Sequence, residues 1–341
     1  MSRGLELARN LGDPDVLCYV IGMWLYYAAA PQRAGERLHL AEEIVASSRA
    51  GLSLRSLAYG QTFAGLAFLD WGKRQRAEET WNEYQEIAER SGNVLLLLVS
   101  AMYDGIWAAV DGRLEEAEQT ARRMLARGDE LGITELAVLC AYLSSYRPWL
   151  LLGKAEEALQ FVTTSFPSPS AQALCLAHLG RDAEAAGILE RFVIARPGIG
   201  SAEDETRADE DIMCLEAAVL VEHREAAGLL LDRFAGSFPP FVSFGALTCT
   251  TRHLGGAAAL LGRPEEARKY YEEALKVATD MKFRPEIALT RLNLTELLLE
   301  HYPKEKAAAL KHLDFAIKEF RDMKMQPSLE RALRHKDILK A

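Results

Sequence analysis

Cysteine is scarce in this 341-residue chain and isolated wherever it occurs. Cys18, Cys140, Cys175, Cys214 and Cys249 lie far apart, and none belongs to a CxxC pair. An odd, unpatterned set argues against a disulfide frame or a zinc site and points to buried thiols in a reducing compartment. Glycine and proline are not enriched, which argues against long disordered stretches. The opening "MSRGLELARNLGDPD" has no apolar signal core. The most apolar stretch, Val16 to Ala30, has fifteen residues and stops at Pro31, short of the roughly 20 that a bilayer span needs. It reads as a core helix, so no membrane partner and a cytoplasmic location are expected. A basic face is missing too. The net charge of -9 argues against nucleic acid as a partner. Only residues 304–340 run the other way, with ten Lys or Arg against six Asp or Glu, and these read as solvated helix faces.

What the chain does have is a repeated pattern. Gly72, Gly112, Gly153, Gly180 and Gly262 each precede an alanine by five: Ala77, Ala117, Ala158, Ala185 and Ala267. Degenerate copies end at Ala227, with Glu222 in the glycine slot, and at Ala309, with Lys304 there. Successive alanines are 40, 41, 27, 42, 40 and 42 residues apart. A second glycine lies seven before the first in three copies, at Gly65, Gly105 and Gly255. The first glycine suits the left-handed end of a helix, and small residues let a neighbouring backbone come close while an aromatic such as Tyr271 fills the next space. Asp13-Pro14, Ser168-Pro169 and Pro264 mark helix starts. "LEEAEQTARRML" sets Leu114, Ala117, Ala121 and Met124 on one stripe at helical period. No convincing alternating strand is present.

Each unit is therefore a helix, a turn and an antiparallel helix, stacked into an all-α solenoid because no unit buries its stripe alone. Seven turns are marked, and Pro31 makes an eighth. Residues 1–195 read as an N-terminal block and 212–341 as a C-terminal block closed by a capping helix from about Ser328 to Lys340. Between them, 196–211 ("RPGIGSAEDETRADED") reads as an exposed acidic loop without the ligand spacing of a calcium site. The 27-residue spacing before Ala185 leaves room for only a short helix after "FPSPS". Residues 1–13 read as the second helix of a repeat, either a half-repeat cap or the start of a piece cut from a longer protein.

Leu254, Gly255, Gly262, Ala267, Tyr271 and Ala274 resemble the small-small-small-aromatic-small positions of the tetratricopeptide repeat. The likeness covers most of the chain in rhythm and residues 245–325 in detail, being strongest over 251–300. The longer units look like the variant found C-terminal to a nucleotide cyclase or DNA-binding domain and an AAA or STAND-type ATPase in bacterial signalling proteins. The resemblance implies a right-handed superhelix that holds a partner or receives a signal, with catalysis in an attached or associated effector domain.

No catalytic constellation is found. "RPGIGS" lacks the lysine of a phosphate loop, no HExxH occurs, and "FVSFG" supplies only half of a nucleophile elbow. Acid pairs such as Glu115-Glu116 and Glu265-Glu266 sit where the helix dipole favours them. Neither enzyme activity nor a cofactor nor a metal is expected. The candidate site is the concave groove, where counting from the turn glycines places Tyr59, Thr62, Arg147, Arg252 and Arg291. Three arginines there would suit a protein or peptide partner bearing carboxylates. The alternative is that they pair with acids on adjacent repeats. The leading expectation is a non-catalytic protein-interaction and regulatory array acting through superhelix curvature. The alternative is a sensor enclosing a peptide or small molecule in the groove.

Overall fold

The computed structural model describes residues 2–340 apart from 235 and 237. The described residues form eighteen α-helices and one two-stranded ribbon. Eight antiparallel pairs follow an opening helix α1 (Ser2–Leu11). They are α2 (Pro14–Tyr27) with α3 (Ala34–Ala46), α4 (Leu54–Asp70) with α5 (Arg74–Ser91), and α6 (Val94–Val110) with α7 (Leu114–Leu131). Next come α8 (Thr134–Leu151) with α9 (Ala155–Thr164), α10 (Pro169–His178) with α11 (Asp182–Leu189), and α12 (Ala208–Leu220) with α13 (Arg224–Arg233). The last are α14 (Thr250–Leu260) with α15 (Pro264–Met281) and α16 (Arg284–His301) with α17 (Lys306–Asp322), closed by α18 (Gln326–Lys340). The solenoid of helix pairs expected from the repeat is the observed architecture.

The turns repeat at the level of single hydrogen bonds. The residue after each turn position donates to the carbonyl five residues back: Lys73 to Phe68, Arg113 to Ala108, Lys154 to Trp149, Arg181 to Leu176, His223 to Ala218 and Arg263 to Ala258. This is the bond that closes a helix through a left-handed residue. Gly72, Gly112, Gly153, Gly180 and Gly262 hold φ between 67° and 82°, and Glu222 adopts φ 55° in the degenerate copy. A short 3₁₀ turn, Pro31–Arg33, makes the extra corner at Pro31. At the helix starts, Asp13 Oδ1 accepts from the amides of Asp15 and Val16, and Ser168 accepts from Ala171.

The spaced small residues have a direct use. A Cβ on Gly65 would overlap the Trp81 indole, and one on Gly255 would lie 2.5 Å from the Tyr271 ring. Gly65 and Gly255 are thus each the seat for an aromatic of the second helix of their own pair. Ala121 takes the equivalent place opposite Gly105, and there a Cβ would instead meet Ser144 of the next repeat at 2.8 Å.

Two features close the superhelix on itself. The first is a ribbon between α13 and α14, β1 (Phe241–Val242) against β2 (Thr248–Cys249), pairing Phe241 with Cys249 and Val242 with Thr248. It is too short to alternate, so no strand pattern announces it. The ribbon and its loop are buried inside the superhelix. There Ser243 bonds Asp70 of α4, the Ala246 carbonyl accepts from Arg147 of α8, and Phe244 packs near Tyr26 of α2. The second is an apolar seam where Leu114 and Leu151 of the N-terminal half join Leu292, Phe320, Met323 and Met325 of the last repeat.

The segment 196–211 is exposed only in part. Asp204, Asp209 and Asp211 are buried, and Arg196 and Arg233 both pair with Asp204 and Asp211. Its backbone docks on the first repeat, where the Ala208 amide donates to the Ala29 carbonyl and Gln32 to the Asp204 carbonyl. These three aspartates are matched by local arginines, whereas Glu203, Glu205 and Glu210 stay exposed, so composition alone misjudges half of the acids.

Candidate functional site

The first helices of the pairs line the interior, which has two different ends. Toward their C-termini, α4 and α8 meet the buried ribbon and close. Toward their N-termini, α4, α6 and α8 leave a groove of roughly 540 Å³. Tyr59 and Thr62 of α4 both line it, beside Leu95 and Val99 of α6 and Leu139 of α8. Of the five residues counted onto the concave face, Tyr59 and Thr62 thus share one depression.

The three arginines do not share that groove. Arg147 is 3% exposed, donates from Nε to the Ala246 carbonyl at 2.7 Å and pairs with Glu216 of α12 at 2.7 Å. Arg252 is 8% exposed and pairs with Glu286 of α16 at 2.6 Å. Both are internal ion pairs, so neither is a partner-binding residue. The reason is the winding of the chain, which brings carboxylates of neighbouring repeats and the ribbon's carbonyls into the space the arginines would have faced. Burial opposes the charges here, yet Arg147 and Arg252 hold the Glu216 carboxyl well below the usual range, and Glu286 raises Arg252 despite its burial. Arg291 lies apart at the α16–α17 seam, 4.2 Å over the Phe315 ring and 3.3 Å from His312 Nδ1.

The apolar groove floor carries Thr62 and Tyr84, with Tyr103 buried behind Thr62. Thr62 Oγ1 and the Tyr103 hydroxyl share a hydrogen bond of 2.6 Å, whereas the hydroxyl of Tyr84, a residue only 2% exposed, has no partner. Burial pushes the Tyr84 phenol up and the Cys140 thiol up to about 12, so both stay neutral. The rim is formed by the first turns of α4, α6 and α8, three helix N-termini at one mouth, where backbone dipoles favour negative charge. Arg55 stands there. It donates to the Tyr19 hydroxyl at 3.0 Å, lies 4.9 Å over that ring, and has no carboxylate partner among the described residues.

On the opposite side of α6 lies a second furrow of roughly 520 Å³, between α6 and α7. Val94 and Leu97 form its apolar wall, with Leu97 41% exposed. Arg113, Arg123 and Arg127 stand along α7 beside Glu116. Arg113 pairs with Glu116 and Arg127 with Glu130, whereas among the described residues Arg123 donates to Thr120 Oγ1 and the Gln119 carbonyl and feels Asp104 across the furrow without a salt bridge.

Sequence reasoning missed α6 as the wall shared by both depressions. Its signal was "NVLLLLVS": Asn93 caps the helix, and a helix cannot bury four consecutive apolar residues on one face. Leu95 and Leu97 are accordingly left 46% and 41% exposed on opposite sides.

Among the described residues, no three His, Cys, Asp or Glu side chains gather as they would around a metal ion. No helix among them is long and apolar enough to cross a membrane. No family model matches the chain, and no curated protein matches it.

Proposed function

We propose that this chain is a non-catalytic protein-interaction and regulatory array whose docking surface is the furrow between α6 and α7. The observation that carries the proposal is the pairing of exposed Val94 and Leu97 with a row of arginines of which Arg123, though within electrostatic reach of Asp104 on the furrow wall, forms no salt bridge among the described residues. An amphipathic helix with an acidic edge matches both features. Its apolar side covers the leucine wall, and its carboxylates meet Arg123 and its neighbours. The repeat rhythm supports a place beside an ATPase or similar effector domain, to which the array reports occupancy.

A change of overall curvature is a poor carrier of that report. The ribbon ties α4, α8 and α14 through buried bonds, and altering curvature would break them. Helix α6 is the shorter route, because one of its faces forms the furrow and the other the interior groove.

The test is a fluorescent helical peptide with leucines on one face and glutamates on the edges, titrated into the intact chain. Binding is expected to weaken about ten-fold in Arg123→Glu, to weaken similarly in Leu97→Ser, and to fall with added salt. Unchanged affinity in both variants would remove the furrow as the docking surface.

A further inference from the structure

The interior groove on α4, α6 and α8 is a separate site from the furrow, and its chemistry is different. It is enclosed on its floor, apolar along its walls and polar only at its two ends. At the mouth stands Arg55, paired with no carboxylate among the described residues, in the field of three helix N-termini. At the floor is Tyr84, almost wholly buried, with a hydroxyl that has no hydrogen-bond partner. A buried donor without an acceptor is costly, and native structures rarely tolerate one unless something else satisfies it. The neighbouring Thr62 and Tyr103 hydroxyls bond each other, and neither lies within hydrogen-bond reach of the Tyr84 hydroxyl. The volume, about 540 Å³, falls in the range of small-molecule sites. Depth follows from the helix: Arg55 and Thr62 are two turns apart on α4, about 10 Å along its axis.

We infer that this groove is a binding site for a small amphipathic carboxylate, an apolar body of roughly ten carbons with its acid at Arg55 and an oxygen acceptor for Tyr84 at the far end. The acid forms charge-assisted hydrogen bonds to the guanidinium and sits in the positive end of the helix dipoles. The body covers Leu95, Val99 and Leu139, removing exposed apolar surface from water. The distal oxygen accepts from Tyr84, whose burial keeps it protonated and therefore a donor.

The experiment is calorimetric titration of the intact chain with ω-hydroxydecanoate, decanoate and decanol. Saturable binding at one equivalent is expected, with ω-hydroxydecanoate tighter than decanoate and decanoate about five- to ten-fold tighter than decanol. The first difference is expected to vanish in Tyr84→Phe and the second in Arg55→Gln. Val99→Trp, checked for an unchanged circular dichroism spectrum, should abolish binding of all three. Arg55 is exposed, so its variant reports on binding even where the groove-filling variant fails to fold. Binding in several unsaturable equivalents, equal affinity for acid and alcohol, or ligand differences that persist in Tyr84→Phe and Arg55→Gln would each overturn the assignment. Peptide docking at Arg123 is read independently, so either site can fail without the other.

Discussion

Asp70 and Ser243, 173 residues apart, are joined by two hydrogen bonds to one carboxylate oxygen, from the serine hydroxyl at 2.6 Å and its amide at 2.8 Å. The other oxygen of Asp70 takes Arg37 at 3.0 Å. One side chain of the second repeat thus anchors the ribbon and neutralises an arginine of the first.

Asp70→Ala strands the Arg37 guanidinium and the Ser243 amide in the interior. A loss of about 3–5 kcal/mol is expected in urea unfolding. Asp70→Asn keeps the shape and one of the two acceptor oxygens, and should lose less than the alanine variant while leaving one of the two donors facing an amide NH2.

Arg252 is held between Glu286 and the Thr248 hydroxyl. Arg252→Glu puts two buried carboxylates face to face and is expected to unfold the chain or cost more than about 3 kcal/mol. Combining it with Glu286→Arg should recover part of that loss. A variant that melts like the wild type would show that the pair is not buried in solution.

Acid should weaken the fold in two steps. Burial lowers His178 to about 4 and His253 well below its ordinary value. Between roughly pH 6.5 and 4 the unfolded chain therefore binds protons that the folded chain refuses, and stability falls as pH falls. Each such histidine contributes a slope of about 1.4 kcal/mol per pH unit. Below about pH 4.5 the depressed Glu216 adds a further loss, because only the unfolded carboxyl takes up a proton there. Unfolding free energy measured against pH should show both, and His178→Gln should reduce the upper slope by one proton.

The glycines divide into two kinds. Gly65→Ala drives a methyl group into Trp81 and should cost about 1–3 kcal/mol. Gly187, inside α11, has nothing within 4 Å of an added Cβ, so Gly187→Ala should stabilise by about 0.5–1 kcal/mol. Opposite signs in thermal melts would confirm the reading of the small-residue pattern. Equal signs would reject it.

The repeat was legible because it is written locally. A glycine before an alanine, a proline at a helix start and an apolar stripe all act within one turn or one helix pair. Tyr59 and Thr62 were legible for the same reason, since their place follows from counting along one helix. Arg147 was not. Its partners Glu216 and Ala246 lie 69 and 99 residues away, and no local pattern records how tightly the superhelix winds. Tyr84 was hidden for another reason: it lies on a second helix, which the counting rule excludes from the interior, and it reaches the groove only past its neighbours.

The seam formed by Leu114 and Leu151 with the last repeat changes how this array can come apart. Open solenoids fray from their ends, each repeat lost at its own modest cost. Here the terminal repeat is also held by the third and fourth, so peeling it away exposes apolar surface in the middle of the chain as well as at its edge. Fraying is thereby penalised at both places at once, so the last repeat should unfold together with the third and fourth, as in a globular domain, although the chain is built of modules.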